Sequence, residues 1–302
     1  MIHNDNGKIN IILREQNKNS TKKQTPYILK NHQELKIIDH HFSSFVGLKH
    51  FKEIIKEIYA TKVMNSKREQ MGLSVNKQVL HMIFKGNPGT GKTTIARELG
   101  NVLYKLNILS KGHFIEAERA DLVGEYIGQT AQKTRNLVQK ALGGILFIDE
   151  AYSLARGGHK DFGRESIDTL VKQMEDHQND FLLILAGYPE EMNRFLSLNP
   201  GLKSRFPFHI PFHDYSLDQL IEIAIQMASE REYELSDKAI WKLRSHLKEQ
   251  ITYNTSHFAN ARFVRNVIEK SIRMQAIRLL SVNNCTMKDL QELKAEDIQF
   301  EN

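Results

Sequence analysis

The sequence predicts an α/β fold: a parallel sheet with helices on both faces, of the P-loop type, followed by a small all-α C-terminal lid domain. Three observations carry this. Short apolar runs rich in branched residues, at Val79–Phe84, Ile145–Ile148 and Phe181–Ala186, alternate with helix-like stretches at Ile95–Leu106, Ala131–Leu142 and Ser166–Met174. Strands that alternate with helices imply a parallel sheet covered on both sides. Sixteen of the 17 glycines lie between Gly47 and Gly201, and no proline follows Pro211, so the last 91 residues contain neither helix breaker. A glycine-rich loop, finally, joins the first apolar run to the first helical stretch.

The elements follow in order. Residues 1–40 are polar and rich in Lys, Asn and Gln, with one candidate strand at Ile9–Leu13, and read as an N-terminal extension. Residues 41–212 hold the alternating pattern and form the α/β domain. Residues 213–302 carry three amphipathic stripes at helical spacing. The first runs through Leu217, Leu220, Ile221, Ala224, Ile225 and Ala228. The second, Ile240, Leu243 and Leu247, follows the cap-like pair Ser236-Asp237. The third is Val264, Val267, Ile268 and Ile272. Trp241 is expected to pack within this domain, and His40-His41 to face solvent.

Composition excludes several classes of function. No run of 18 apolar residues exists, so no membrane span is expected, and Met1 to Asn10 lack the apolar core of a secretory signal. A single cysteine, Cys285, forbids an internal disulfide or a Cys-based zinc site and fits a reducing, cytoplasmic setting. The 13 histidines form no metal-binding spacing. The net charge of +6 invites a nucleic-acid reading, yet residues 1–40 alone carry 7 Lys/Arg against 4 Asp/Glu. Half of the excess therefore lies in the extension. With no recognisable helix-turn-helix and no interleaved aromatic-basic platform, nucleic acid is not an expected partner.

The loop Gly86-Asn87-Pro88-Gly89-Thr90-Gly91-Lys92-Thr93 fits G-x-x-x-x-G-K-[ST] between a strand and a helix, with Thr94 next in line. Glycines let backbone N–H groups turn toward bound phosphates, and the helix adds its positive end. Lys92 is expected to hold the β- and γ-phosphates and the Thr93 hydroxyl to ligate Mg²⁺. The apolar run at Ile145 ends in Asp149-Glu150. Ligands bind parallel sheets at that edge, and a carboxylate pair beside a buried strand is costly unless a cation meets it. Asp149 is expected to hold the magnesium through water and Glu150 to polarise an attacking water. A kinase acting on a small molecule has less need of the second acid, which favours hydrolysis.

Beyond these two motifs, particular strings are similar to the CbxX/CfqX family of AAA+ ATPases, above all to members from spore-forming bacilli. They are Gly86 to Thr93, the segment from Glu118 to Gly128, Leu146 to Leu154, and Ala186-Gly187-Tyr188-Pro189. The resemblance covers about Phe45 to Leu280 and extends weakly into Gly7–Leu13. It implies ATP as the nucleotide, a ring hexamer with ATP between subunits, a protein client and a sporulation context. A role like that of the red-type Rubisco activases of the same family is implied equally well by the shared motifs.

The resemblance also implies residue roles. Arg205 matches the arginine that reaches a neighbour's γ-phosphate, with Arg194 and Lys203 as nearby alternatives. Guanidinium suits the task because it stays charged and spreads its donors over several oxygens. Arg262 in Asn260-Ala261-Arg262 matches the sensor-2 arginine of the lid, although Ala259 replaces a frequent glycine. Arg262 and Arg265, three apart at a predicted helix start, sit where the macrodipole disfavours cations unless an anion is bound. Val46-Gly47 resembles the segment beside the adenine. Tyr188 falls at the sensor-1 position, where it either donates through its hydroxyl or packs. Tyr126-Ile127-Gly128 resembles an aromatic pore loop gripping extended polypeptide, which needs contact area rather than a particular donor. Lys133 and Arg135 could add positive charge to such a channel. The stretch Arg156 to Arg164 is either a second pore loop or an inter-subunit contact. The reading is then a Mg²⁺-dependent ATPase that remodels a client protein. Its alternatives are a nucleotide-switched scaffold and a Rubisco-activase-like remodeller.

Overall fold

The computed structural model describes residues 33–75, 78–126, 128–156, 162–253, 258–281 and 284–300. The candidate strand at Ile9–Leu13 lies outside them. At the centre stand β1 (Met82–Gly86), β2 (Phe114–Ala117), β3 (Ile145–Ile148), β4 (Leu182–Gly187) and β5 (Phe208–Phe212). Their order is β2-β3-β4-β1-β5, and every neighbouring pair is parallel, with Phe84 opposite both Ala186 and Ile210. β3 and β4 are buried along their whole length, as continuous apolar runs require. The two strands absent from the sequence expectation, β2 and β5, are the edges. They are half-buried and interrupted by Glu116 and by Pro211, a residue that edges tolerate.

Alternation along the strands sends side chains to two cores. Met82, Phe84, Ile145, Phe147 and Ile184 face α1 (Gln33–His41), α2 (Lys49–Gln70) and α3 (Lys92–Lys105). Ile83, Leu146, Ile148, Leu183 and Leu185 face the opposite layer. That layer holds α4 (Arg119–Leu122), α5 (Gln129–Ala141), α6 (Gly163–Asp176), α7 (Pro189–Leu198) and α8 (Pro200–Lys203). Each large apolar side chain removed from water stabilises the fold by about 1.5–3 kcal/mol. The first helix comes from sequence that reads as polar extension, yet its Leu35 and Ile38 are buried beside Phe42 and Ile55. His41, expected to face solvent, instead meets Glu98 at 2.6 Å.

The lid comprises α9 (Leu217–Ser229), α10 (Asp237–Tyr253), α11 (Asn260–Leu280) and α12 (Met287–Gln291). One short parallel ladder joins β6 (Glu234–Leu235) to β7 (Glu292–Leu293). Ser216 opens α9 with a capping box, its hydroxyl accepting from Gln219 N while Gln219 answers Ser216 N. The three stripes meet in one core through Leu220, Ala224, Leu243, Leu247, Val264 and Ile268. Ile225 falls outside it at 45% exposure. Trp241 is 71% exposed, so it does not pack as expected. Among the described residues no helix is long and apolar enough to cross a membrane.

Candidate active site

The site forms where helices leave the sheet in opposite directions. α3 departs from β1 over one face, and α7 departs from β4 over the other, opening a crevice at the carboxyl ends of β1, β3 and β4. The loop between β1 and α3 turns through Gly89 at φ 71° and Gly91 at φ 91°, conformations that favour glycine. A Cβ on Gly86 would lie 2.4 Å from the Phe212 carbonyl oxygen, so β1 and β5 can pair this closely only without one. Thr90 is buried, its hydroxyl donating to Asn87 O at 2.8 Å, and braces the loop from within.

A cavity of about 390 Å³ opens above this loop. Pro88, Gly89, Gly91, Lys92, Thr93 and Thr94 form its floor. Asp149, Glu150 and Tyr188 border it from the neighbouring strands, and Val46 closes it beside Ser44 and Phe45. Gly47, Gly86, Asn87 and Thr90 do not line it. Gly47, at φ 79°, instead lies against the lid, where a Cβ would come within 3.2 Å of Gln219 Nε2.

Lys92 folds back over the loop and donates to Gly86 O at 2.8 Å and Asn87 O at 2.9 Å. Burial pushes its ammonium below the usual lysine range; Asp149 opposes that, and Arg262 reinforces it. Bound anionic oxygens would relieve this desolvation. Asp149 accepts from Glu150 N at 2.9 Å. Glu150 adopts φ 44°, a left-handed conformation that costs a non-glycine residue about 1–3 kcal/mol, and borders the cavity. Arg156 lies 3.9 Å from its carboxylate, and burial followed by Glu150 raises the Tyr152 hydroxyl above the ordinary tyrosine range. Tyr188 is 36% exposed, borders the cavity and lies with its ring 6.0 Å from that of Tyr152.

The lid supplies the far wall. Arg262, in the first turn of α11, and Arg265, in the second, both border the cavity. From α9 come Ile223, Gln226 and Met227, and Glu230 follows as its C-cap. These α9 residues were not legible from sequence, where Gln226 and Glu230 look like an ordinary solvated helix face. The arginine spacing was the available signal for Arg265.

Arg205 does not border this cavity. It pairs with Glu175 and donates to Gly201 O at 2.6 Å. Tyr126 also lies apart, 68% exposed ahead of Gly128, which takes φ 85°. Ile127 and residues 157–161 lie outside the described residues. Lys133 donates to Val123 O at 3.1 Å, on the segment that leads to Tyr126.

Comparison with known proteins agrees with this architecture. Residues 82–214 match the model of the ATPase family associated with various cellular activities (AAA), and residues 216–302 match the AAA lid domain. The chain is 58% identical over 307 residues to stage V sporulation protein K of Bacillus subtilis, covering 99% of this chain and 95% of that protein. It is 42% identical to the chromosomal protein CbxX of Cupriavidus necator, over 84% of this chain and 80% of the relative. It is 40% identical to the chloroplastic ribulose bisphosphate carboxylase/oxygenase activase of Cyanidioschyzon merolae, over 89% and 92%. Among solved structures, the FIGL-1 AAA domain in complex with ADP aligns with TM-score 0.56 at 19% identity, covering 83% of this chain and 80% of that one. That last likeness speaks to fold alone.

Proposed function

The chain belongs to the AAA+ ATPases and, within them, to the CbxX/CfqX family, and from that premise we propose that it couples Mg²⁺-dependent ATP hydrolysis to the remodelling of a client protein as a ring hexamer. One observation carries the reading: the loop lysine, two strand-end carboxylates and two lid arginines border a single cavity. Such a site binds a triphosphate from below, meets it from above, and holds a carboxylate beside it.

The residues fit magnesium. Thr93 and Asp149 both border the cavity with hard oxygen donors, the set a small divalent cation prefers when it shares phosphate oxygens. When bound, the ion would neutralise charge that develops on the phosphates. Lys92 exchanges its loop carbonyls for phosphate oxygens. Glu150, at the cavity's border, orients and accepts a proton from water. Arg262 reaches the phosphates from the same chain. Arg205, outside the lining of its own cavity and paired with Glu175, suits delivery to a neighbouring copy's cavity. Tyr126, exposed before a glycine, suits contact with a passing polypeptide.

The sporulation-protein relative supports a sporulation context; the activase relative, similar over nearly its whole length, supports a Rubisco-type client as the second reading. Glu150→Gln tests the chemistry. It is expected to keep ATP bound while turnover falls by about 10²-fold or more. Turnover at the wild-type rate would contradict the assignment. The ATP-loaded variant is also the bait for the client: recovery of Rubisco favours the second reading, and another specific protein the first.

A further inference from the structure

Three consecutive carbonyls of the phosphate loop are held by the lid or by its approach. Asn260 Nδ2 donates to Pro88 O at 3.3 Å, Ala261 N to Gly89 O at 3.1 Å, and the Tyr215 hydroxyl to Thr90 O at 3.1 Å. A single carboxylate joins one of these donors, Asn260, to the loop's own Asn87. Asp214 accepts from Asn87 Nδ2 through both oxygens, at 3.0 and 2.9 Å, and from Asn260 Nδ2 at 2.8 Å. Asn260 is fully buried, sits at φ 47°, and also accepts from Tyr215 N through Oδ1 at 3.0 Å. A left-handed residue at a helix start is strained, and it persists where surrounding bonds over-determine it. The fit is close: a Cβ on Gly89 would lie 2.0 Å from Ala259 O.

We propose that Asp214 is a positioning residue for ATP hydrolysis: by clasping Asn87 of the phosphate loop to Asn260 of the lid, it fixes Arg262, two residues further on, against the phosphates. The inference rests on the hydrolytic reading of the site. Its chemistry is specific to a carboxylate. Asp214 Oδ1 accepts from both amide donors and Oδ2 accepts again from Asn87, so both oxygens act as acceptors. Asparagine has the same shape but only one acceptor oxygen, and its amide would face Asn87 or Asn260 donor to donor. The loop and lid would each keep their own fold and their direct bonds, and lose the link from Asn87 through Asp214 to Asn260.

The test is Asp214→Asn in the full-length protein, with ATP turnover, ATP affinity and hydrogen–deuterium exchange of residues 258–268 measured together. Turnover is expected to fall by about tenfold or more while affinity changes by less than about threefold, because the interaction positions lid groups and leaves the loop's own contacts intact. ATP should slow exchange at 258–268 in the wild type and fail to do so in the variant. A purely structural role would lower thermal stability without dividing turnover from affinity. Turnover within about twofold of the wild type, or affinity lost in step with turnover, overturns the proposal. If Asp214→Asn does not fold, Asn87→Ala removes the loop side of the clasp alone, and the same division is expected. Wild-type protein and Lys92→Ala run alongside: a wild type that fails to hydrolyse ATP removes the functional reading, whereas a normal wild type beside an unaffected Asp214→Asn removes this inference only.

Discussion

His81 illustrates how one buried side chain shapes behaviour far from the catalytic cavity. It is 1% exposed, between the rings of Phe181 and Phe206, and its Nδ1 accepts from Leu183 N at 3.0 Å. Nε2 therefore carries the proton and has no partner among the described residues. Burial pushes the imidazole down to about 4 from 6.5. Between these values the unfolded chain binds the proton and the folded chain refuses it, so stability rises with pH across this window. It is complete above about pH 6.5 and declines by roughly 1.4 kcal/mol per unit toward pH 4. His81→Leu should flatten this part of the stability–pH curve in denaturant titrations. At neutral pH it should cost about 1–3 kcal/mol, because Leu183 N–H is left unpaired. Equal slopes for the two proteins would remove the assignment. In the cavity, Lys92→Ala should abolish nucleotide binding measured by equilibrium titration, since Lys92 is the cation seated on the loop itself. Much at this scale was legible: Lys92, Thr93, Asp149, Glu150 and Arg262 were named from spacing or resemblance, and all border one cavity. What sequence concealed was partnership. His41 found Glu98, and Trp241 found solvent, because neither outcome leaves a local signature.

Among the elements, legibility followed burial. β3 and β4, covered on both faces, announce themselves as apolar runs, whereas the edge strands β2 and β5 are half-exposed and carry polar or proline residues. The helix Gln33–His41 hid for the opposite reason: two buried residues, Leu35 and Ile38, suffice to dock a helix whose other residues match the polar segment before it. The α9 wall of the cavity was invisible because Gln226 and Glu230 acquire a role only when the lid folds over the loop. Two element-scale outcomes follow. Ser216→Ala removes the hydroxyl that caps α9, and should destabilise the lid by about 1 kcal/mol in thermal unfolding. Gly89→Ala drives a methyl against Ala259 O and strains a left-handed residue, so it should part lid from loop. Faster amide exchange at residues 258–268 would report that separation, and unchanged exchange would speak against the contact.

For the whole molecule, the uneven glycines proved a map of labour. The glycine-bearing segment builds the sheet and its phosphate loop, and the segment free of glycine and proline builds the helical wall that closes over it. Net basicity did not point to the chemistry, because half of the excess lies in residues 1–40, outside the segment that builds the cavity. Arg205 is the residue whose purpose one chain alone leaves unmet, since it stands outside its own cavity and pairs with Glu175. The account makes it the finger for a neighbouring copy, and mixing two inactive proteins tests this most directly. Arg205→Ala retains a competent cavity without a finger, and Lys92→Ala retains the finger without a competent cavity. ATPase activity should reappear in mixed assemblies as Lys92→Ala subunits supply Arg205 to Arg205→Ala neighbours. No recovery in assemblies demonstrated to contain both subunits would contradict it.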